Sequence, residues 1–422
     1  MGMDDKNNLL LASSQNDVDQ INSKFYSRFN YPWYPREFPY YEDRDFWRKM
    51  LCQDIGDWTL TRVPEKMKIW VAGCGTNQAV FTALKYPDAD ILGTDVSPKS
   101  IEVCRETARQ LGIKNLVLER HSLNDSRFEN EFDHVICTGV IHHNADPSIT
   151  LQSLSRALRK NGVMELMVYN YYHRIMTTAF QKAVHIMSQS DKSVDPELEY
   201  RIADLLMKDF PVQNLMKGFL TSLKNQEEAL IADALIQPVE HSFTVESLEA
   251  LAQQCGLGII SHCINQFDVA ENKLTWNLDF ANDNYNQLPD IERWQVGNLL
   301  MVENSPMLWF YLQKKDSDHL RPSEQDMCES FLDTTFLKTE TIKHRWVLTG
   351  PGKYEKRPEQ SVFPMPKTPV HRSAGKVFNS LHSNLTIREI MEMVGLDISF
   401  KTVNDLRINL STSGLPYIVA NN

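Results

Sequence analysis

Three short stretches of the chain each follow an apolar run and carry side chains that could do chemistry. Gly73-Cys74-Gly75 follows Ile69 to Ala72, and Asp95 ends a second apolar run about twenty residues later. His142 and His143 follow a third run. A carboxylate can accept both hydroxyls of a ribose. An imidazole titrates near neutrality and can act as a general base.

The elements that must position these side chains are those of an open α/β sheet. Ile69 to Ala72 is typical of a short buried strand, and a helix is predicted to begin just after the glycines. Strand, glycine turn and helix in this order present the main chain to a ligand at the carboxyl edge of such a sheet. Two glycines one residue apart let a cofactor approach the backbone. The dinucleotide fingerprint needs a third glycine where Gln78 stands, which disfavours a nicotinamide enzyme.

Over roughly residues 66 to 170 the chain resembles the class I S-adenosylmethionine-dependent methyltransferases. Four features carry the resemblance in the right order: the glycine turn, the acid Asp95, the stretch from His142 to Pro147, and Arg159-Lys-Asn-Gly162 in place of a "Lys-Pro-Gly-Gly"-like turn. The resemblance implies an α/β fold, with a Rossmann-like seven-stranded methyltransferase sheet, and S-adenosylmethionine as the cofactor. Two residues depart from the family pattern: Val71 replaces a frequent acid, and Asn77 stands where many members have glycine.

The resemblance also implies where the cofactor is held: in the glycine turn, after the second strand, in the loop after the third strand and at the end of the fourth. The residues at these positions are Ala72, Gly73, Gly75, Asn77, Gln78, Asp95, Val96, Ser122, Leu123, Asn124 and Thr138. The adenine is expected against Ser122 to Asp125, where Asn124 or Asp125 can accept from its amino group. Asn77 tolerates positive φ better than other non-glycine residues, so the turn is expected to survive.

Methyl transfer requires alignment of the acceptor and exclusion of water, and a proton must leave a hydroxyl or ammonium acceptor. In related enzymes a histidine at the His142 position works with a tyrosine of an N-terminal lid. The candidate catalytic residues are therefore His142, His143 and Tyr34. If the strand geometry continues, the two rings point to different sides and only one faces the pocket. The alternative is that both histidines cap the strand and shape the pocket.

The acceptor side is expected to be lined by polar and aromatic residues that follow the fifth strand or belong to neighbouring segments. The candidates for substrate binding are Tyr31, Tyr169, Tyr172, His173, Arg174 and His241. Tyrosine and histidine suit a polar acceptor, and Arg174 suits a carboxylate or phosphate.

The segment from Phe25 to Tyr41 has nine aromatic residues and three prolines among seventeen. One interpretation is an arm that packs over the domain through its rings. The other is a lid whose tyrosines line the cofactor and acceptor site. The two are compatible. The resemblance places the chain in a methyltransferase subgroup with a Tyr- and Pro-rich N-terminal segment.

At 422 residues the chain is longer than one such domain needs. We expect an N-terminal arm or lid over residues 1–60 and a methyltransferase domain over 61–315. Helical insertions are predicted at about 172–236 and about 270–304. Residues 325–422 are expected to form a small, mainly helical C-terminal domain, similar in pattern to winged-helix domains.

The composition is that of an ordinary soluble protein, with 42% hydrophobic and 23% charged residues. A net charge of −11 argues against broad nucleic-acid binding. Seven cysteines without C-x-x-C pairs indicate free thiols and a reducing cytoplasm. No apolar run approaches the length of a membrane span, and no metal site is predicted.

The function that these observations favour is S-adenosylmethionine-dependent methyl transfer to a small-molecule acceptor, at O or N, in specialised metabolism. One alternative is a peptide or protein methyltransferase whose C-terminal domain binds the substrate chain. A further alternative is a non-catalytic protein that binds the cofactor. No nucleic-acid or membrane partner is expected, and the oligomeric state stays open.

Overall fold

The computed structural model of the chain describes residues 14–188, 195–278, 283–358 and 372–421. The strands are β1 Glu37–Tyr41, β2 Lys68–Ala72, β3 Asp90–Asp95, β4 Leu116–Arg120, β5 Phe132–Thr138, β6 Leu158–Val168, β7 Leu257–His262, β8 Leu308–Lys314, β9 Phe336–Lys338, β10 Lys343–Gly350, β11 Lys353–Pro358, β12 Leu415–Pro416 and β13 Ile418–Ala420.

Helices account for most of the remaining regular structure. They are α1 Gln15–Arg28, α2 Phe46–Asp54, α3 Gln78–Lys85, α4 Pro98–Gln110, α5 Pro147–Ala157, α6 Tyr171–Ser188, α7 Pro196–Lys208, α8 Leu215–Leu223, α9 Glu228–Ile236, α10 Val245–Gln254, α11 Gln266–Glu271, α12 Asp283–Asn286, α13 Asp290–Met301, α14 Glu324–Leu332, α15 Arg372–Asn379, α16 Ile387–Met393 and α17 Phe400–Ser411. Short 3₁₀ turns cover Leu123–Asp125, Ile141–His143 and Val302–Asn304.

Seven strands form the central sheet in the order β4-β3-β2-β5-β6-β8-β7. All neighbours are parallel except β8, which runs antiparallel to both β6 and β7. The strand order reverses between β2 and β5, and such a switch point opens a ligand crevice at the carboxyl edge. The predicted Rossmann-like methyltransferase sheet is therefore confirmed.

Each face of this sheet packs against its own hydrophobic core, because side chains alternate along each strand. In β2, Ile69 and Val71 enter one core and Trp70 and Ala72 enter the other. All four are at most 1% exposed. Burial on both faces explains why β2 reads as a continuous apolar run rather than an alternating one.

The turn predicted at Arg159-Lys-Asn-Gly162 lies inside β6. It forms an irregularity in which Phe132 pairs with Leu158 and His134 pairs with Val163. The strand therefore begins at Leu158, before the predicted turn, and the exposed residues 159–161 bulge out of the ladder.

The first predicted insertion is present as α6–α9, which form a helical cap over the carboxyl edge. The cap has its own apolar core, which includes Phe180, Val184 and Leu235. Phe25 and Phe29, in and just after α1, lie in the same core at 1% and 2% exposure. The arm and the inserted helices thus form one unit, which we call the cap: α1 and α6–α9.

The C-terminal residues form two separate structures rather than one domain over 325–422. Helices α14–α17 with β9, β12 and β13 enclose a core that includes Phe331 and Leu406. The hairpin β10–β11 instead pairs with β1, in a three-stranded sheet ordered β1-β10-β11. Residues 359–371, which follow β11, lie outside the described residues.

The C-terminal helices are fastened to the methyltransferase domain through buried polar groups at the end of α2. Gln53 donates to the carbonyl of Ser411 (2.8 Å) and accepts from the amide of Ala420 (2.8 Å). Asp54 accepts from the amide of Ser413 and from the hydroxyl of Tyr311, each at 2.9 Å. Because Asp54 is fully enclosed, burial raises its pKa to about 6.

Among the described residues, no helix is both long and apolar enough to span a membrane. All seven cysteines are free thiols, and six of them are buried.

Candidate active site

The glycine turn is anchored on the neighbouring strand. The amides of Gly73 and Cys74 both donate to the carbonyl of Thr94, at 2.9 and 2.8 Å. Gly73 has φ +75°, and a Cβ added there would lie 2.4 Å from Cγ2 of Val140. Only glycine fits, because both the backbone conformation and the neighbouring side chain exclude a larger residue. Asn77 has φ −150°, so the positive φ considered for it is not used.

Asp95 ties the glycine turn to the start of α4. Its carboxylate accepts from the amides of Gly75 (2.9 Å) and Ser97 (2.8 Å). Burial raises the pKa of Asp95, and the two N–H donors act in the opposite direction. The hydrogen bond from Gly75 places this carboxylate beside the glycine turn, at the carboxyl end of β3, where a cofactor ribose would be held.

The loop predicted to meet the adenine lies in contact with α1. Ser122 donates to Asp19 (2.5 Å), and Asn124 donates to Oδ1 of Asn144 (2.9 Å). Gln15 of α1 donates to that same oxygen (3.0 Å). A bound adenine would therefore have to displace the Ser122–Asp19 contact with α1 or the Asn124–Asn144 contact, because the polar groups of the loop already make these hydrogen bonds.

The segment after α1 lies directly on the glycine turn. Thr76 donates to the carbonyl of Pro32 (2.6 Å), and Asn77 donates to that of Trp33 (3.2 Å). A Cβ on Gly75 would lie 3.1 Å from Cδ of Pro32. Each of the two interpretations therefore describes part of the aromatic segment. Pro32 and Trp33 cover the glycine turn as a lid would. Phe25 and Phe29 belong to the hydrophobic core of the cap.

His142 is completely buried on a 3₁₀ turn, and neither of its ring nitrogens has a hydrogen-bond partner. Its ring lies 3.9 Å from the ring of Tyr169, between centroids. Burial lowers the pKa of His142 well below 6.5, and the charges of His143 and Arg174 act in the same direction. The near-neutral titration of an ordinary imidazole therefore does not apply to His142, since a buried imidazolium loses its hydration.

His143 does not point away from its neighbour. The two ring centroids are 4.2 Å apart, because the chain leaves β5 in a 3₁₀ turn rather than in extended form. Nδ1 of His143 lies 2.8 Å from the carbonyl of Val239, and its Nε2 has no partner. Burial lowers the pKa of His143 as well. Nε2 of His241 lies 3.0 Å from the carbonyl of Asn144, beside the pair.

A buried carboxylate completes the cluster around these rings. Asp233 of α9 accepts from the hydroxyls of Tyr26 (3.1 Å) and Tyr169 (2.9 Å). The side-chain amide of Gln237 donates to the hydroxyl of Tyr26 at 3.1 Å. Burial, and then the charge of Asp233, raise the pKa of both tyrosines well above its ordinary value, so both stay protonated donors.

Arg174 of α6 lies against the same tyrosine and is paired to a second carboxylate. Its Nε donates to Glu240 (2.7 Å), and its Nη2 contacts the other carboxylate oxygen. Its guanidinium carbon is 4.0 Å from the centroid of the Tyr169 ring. Burial acts to lower the pKa of Arg174, but the two carboxylates outweigh it and the pKa is raised.

Sequence reasoning placed Tyr31, Tyr169, Arg174 and His241 on the acceptor side. The structure brings the last three to the histidines, and Tyr31 lies next to Tyr26, with ring centroids 6.4 Å apart. Burial and the charge of Asp233 raise the pKa of Tyr31, which lies within reach of that carboxylate.

Tyr34, Tyr172 and His173 lie elsewhere. Tyr34 is 39% exposed and its ring meets Gly352, 3.1 Å from the position of an added Cβ. Tyr172 packs against Tyr171, and His173 lies 3.3 Å from the hydroxyl of Ser305. The geometry of α6 explains why Arg174 reaches the histidines while Tyr172 and His173 do not. The three residues share one turn, but Tyr172 and His173 project from other sides of the helix.

Sequence reasoning did not single out Asp233 or Tyr26. The only signal for Asp233 was an acid in the middle of the apolar run of the helix Glu228–Ile236. Tyr26 lies within the aromatic segment, and no feature of the sequence distinguished it from the other rings there. Glu240 was not singled out either, although its side chain is only 4% exposed.

Residues 65–214 match the family model described as a methyltransferase domain. The chain is 25% identical over 250 residues to the uncharacterized protein syc1184_c of Synechococcus sp., covering 57% of this chain and 60% of that protein. It is 29% identical over 132 residues to the tRNA 5-carboxymethoxyuridine methyltransferase of Escherichia coli, covering 30% of this chain and 49% of the enzyme. The chain thus spans less than two thirds of each relative's length.

The fold is also similar to that of PKMT2 from Rickettsia typhi, solved in complex with AdoHcy. The TM-score is 0.52 at 14% identity, covering 84% of this chain and 72% of that one.

The sheet order and the family match over residues 65–214 together identify a methyltransferase domain with a class I fold in this part of the chain. The cofactor that such a domain implies is S-adenosylmethionine. The residues are compatible with this cofactor: Gly73 and Gly75 leave the turn without side chains next to the carboxylate of Asp95, which can accept from hydroxyls.

Proposed function

We propose that this chain transfers the methyl group of S-adenosylmethionine to a small-molecule acceptor, at O or N. Asp95 and the glycine turn would hold the cofactor, which supplies an electrophilic methyl carbon bonded to a sulfonium. The residues around His142 would hold and align the acceptor. The single observation that carries the proposal is the buried His142, with two unpartnered nitrogens beside the Tyr169–Asp233 pair.

Enclosure favours a small acceptor over a macromolecule. The cluster lies beneath the cap, and the residues 29–35 close the side next to the glycine turn. An acceptor that fits inside this enclosure excludes water when the cap closes, which methyl transfer requires. The seven free thiols support a cytoplasmic location, and the Tyr- and Pro-rich segment supports the proposed subgroup.

The peptide alternative assigned the substrate chain to the C-terminal domain. Its central helix, α17, is unsuited to that task because eight of its twelve residues are buried between the C-terminal core and the methyltransferase domain. Arg407 on this helix donates to the neighbouring Asn404 (2.7 Å) and lies 4.0 Å from Glu324. Its polar groups therefore serve the internal interface.

The test is methyl transfer from labelled S-adenosylmethionine by the full chain in a cell extract divided into small-molecule and macromolecular fractions. We expect a newly labelled species in the small-molecule fraction, detected by mass spectrometry, and S-adenosylhomocysteine in equal amount. The variant Gly73→Val serves as the control that lacks cofactor binding. Label confined to protein or RNA would refute the small-molecule acceptor. Cofactor binding without any transfer would refute catalysis.

A further inference from the structure

We propose, building on the function above, that the acceptor is an amine that enters the site as a cation. The first observation is the charge of the buried cluster. Nε and Nη2 of Arg174 both contact the carboxylate of Glu240, so the charges of these two side chains compensate each other. The carboxylate of Asp233 interacts electrostatically with Arg174. Its two hydrogen bonds, however, come from the neutral hydroxyls of Tyr26 and Tyr169.

The histidines do not supply the missing positive charge. His142 and His143 are buried, and each has an unpartnered ring nitrogen, as expected of neutral imidazoles in an apolar enclosure. The cluster therefore carries one more negative than positive charge. A buried excess charge is costly unless a counter-charge arrives, and a cationic acceptor would provide it.

The rings around Asp233 are suited to the same cation. Tyr26 and Tyr31 have ring centroids 6.4 Å apart, and Trp33 lies 6.1 Å beyond Tyr31. The negative faces of aromatic rings attract ammonium groups. The cluster already shows this behaviour once, because Arg174 lies over the ring of Tyr169 at 4.0 Å. Anionic and plain hydroxyl acceptors would gain nothing from this combination.

Methylation of an ammonium first requires loss of a proton, and His142 provides a place for it. The amine nitrogen gives one proton to an unpartnered nitrogen of His142, so the positive charge moves from the acceptor to the imidazole. The total charge facing Asp233 is unchanged by this step. The freed lone pair then forms the N–C bond to the methyl carbon as the C–S bond breaks, and the C–S electron pair stays on sulfur. The products are the methylated ammonium, S-adenosylhomocysteine and protonated His142.

The charge preference can be measured without knowing the acceptor. The probes are tetramethylammonium, tert-butanol and pivalate, which have similar shape and differ in charge. Each is titrated into the full chain saturated with S-adenosylhomocysteine, and binding is followed by saturation-transfer NMR. We expect tetramethylammonium to bind at least tenfold more tightly than the other two.

Two variants test the residues that carry the inference. Asp233→Asn should lower the affinity for tetramethylammonium at least tenfold, and Tyr31→Leu should lower it several-fold without any change of charge. The control Asp88→Asn makes the same charge change at an exposed residue paired with Arg44, and should leave the affinity unchanged.

Equal binding of pivalate or tert-butanol, no saturable binding of tetramethylammonium, or unchanged affinity in both variants would overturn the inference. Calorimetry of S-adenosylhomocysteine alone separates this failure from failure of the proposed function. If that ligand does not bind, the proposed function falls. If it binds normally and the cation preference is absent, only the amine assignment falls.

Discussion

The glycine turn permits a quantitative test through Gly73→Ala. The residue has φ +75°, which costs an L-residue about 1–2 kcal/mol. The added Cβ would lie 2.4 Å from Cγ2 and 2.7 Å from Cγ1 of Val140, and such overpacking costs about 1–3 kcal/mol. The free energy of unfolding should therefore fall by about 2–5 kcal/mol, by the sum of these two costs.

A matched pair of variants separates the two costs. Gly112 has φ +71° with nothing within 4 Å of an added Cβ, so Gly112→Ala should cost only the backbone share, about 1–2 kcal/mol. Adding Val140→Ala to Gly73→Ala removes both methyl groups and leaves a 3.1 Å contact to Cβ. The double variant should therefore recover much of the steric share.

Urea unfolding gives the stabilities, and calorimetry with S-adenosylhomocysteine gives the affinities. Gly73→Ala should also weaken cofactor binding, because the turn must move to admit the Cβ, whereas Gly112→Ala should not. If Gly73→Ala is no more costly than Gly112→Ala, or if Val140→Ala recovers nothing, the turn is not packed as described and the reasoning fails.

Three further predictions address the cofactor, the base and the domain interface. Asp95→Ala should weaken calorimetric binding of S-adenosylhomocysteine by about 1.5–3 kcal/mol, the range for charged hydrogen bonds; unchanged affinity would remove Asp95 from the cofactor site. His142→Ala should lower turnover by about a hundredfold with cofactor affinity unchanged. Since burial lowers the His142 pKa, the acid limb of the parent's rate–pH profile should lie below 6.5 and vanish in this variant; a limb that persists there would assign the ionisation elsewhere. Asp54 binds its proton more tightly when folded, with its pKa raised from 3.8 to about 6. Asp54 therefore contributes to the free energy of unfolding at low pH. About 3 kcal/mol of that contribution is lost as the pH rises through this window. Urea unfolding of Asp54→Asn should lack this share of the pH dependence, and an unaltered slope would contradict the burial argument.

The fold of the methyltransferase domain could be predicted because its signals are local. Each buried parallel strand is a continuous apolar run, and each functional turn follows directly after one. The charge arrangement of the acceptor site could not be predicted in this way. Asp233, Arg174 and Tyr26 come from α9, α6 and α1, and their meeting depends on how the cap folds, which no short window of sequence records.

The histidines show a second limit. Sequence placed them correctly at the end of β5, but their orientation depended on whether the chain stayed extended. The 3₁₀ turn at Ile141–His143 buried both rings and removed the hydration that would have kept the His142 pKa near its ordinary value. Likewise, the hairpin β10–β11 escaped prediction because its partner, β1, lies far away in the chain.

The pairing of β1 with β10 has a consequence for how the protein is made. Glu37 pairs with Val347, about 300 residues later in the chain. Ribosomes add roughly 5–20 residues per second, so β1 waits about 15–60 s for its partner to be synthesised. During that time the segment that connects α1 to β1 is not held at its C-terminal end, because β1 has no partner strand. The nascent methyltransferase domain can form its sheet and glycine turn, but its site is sealed only when β10, Lys343–Gly350, has left the ribosome.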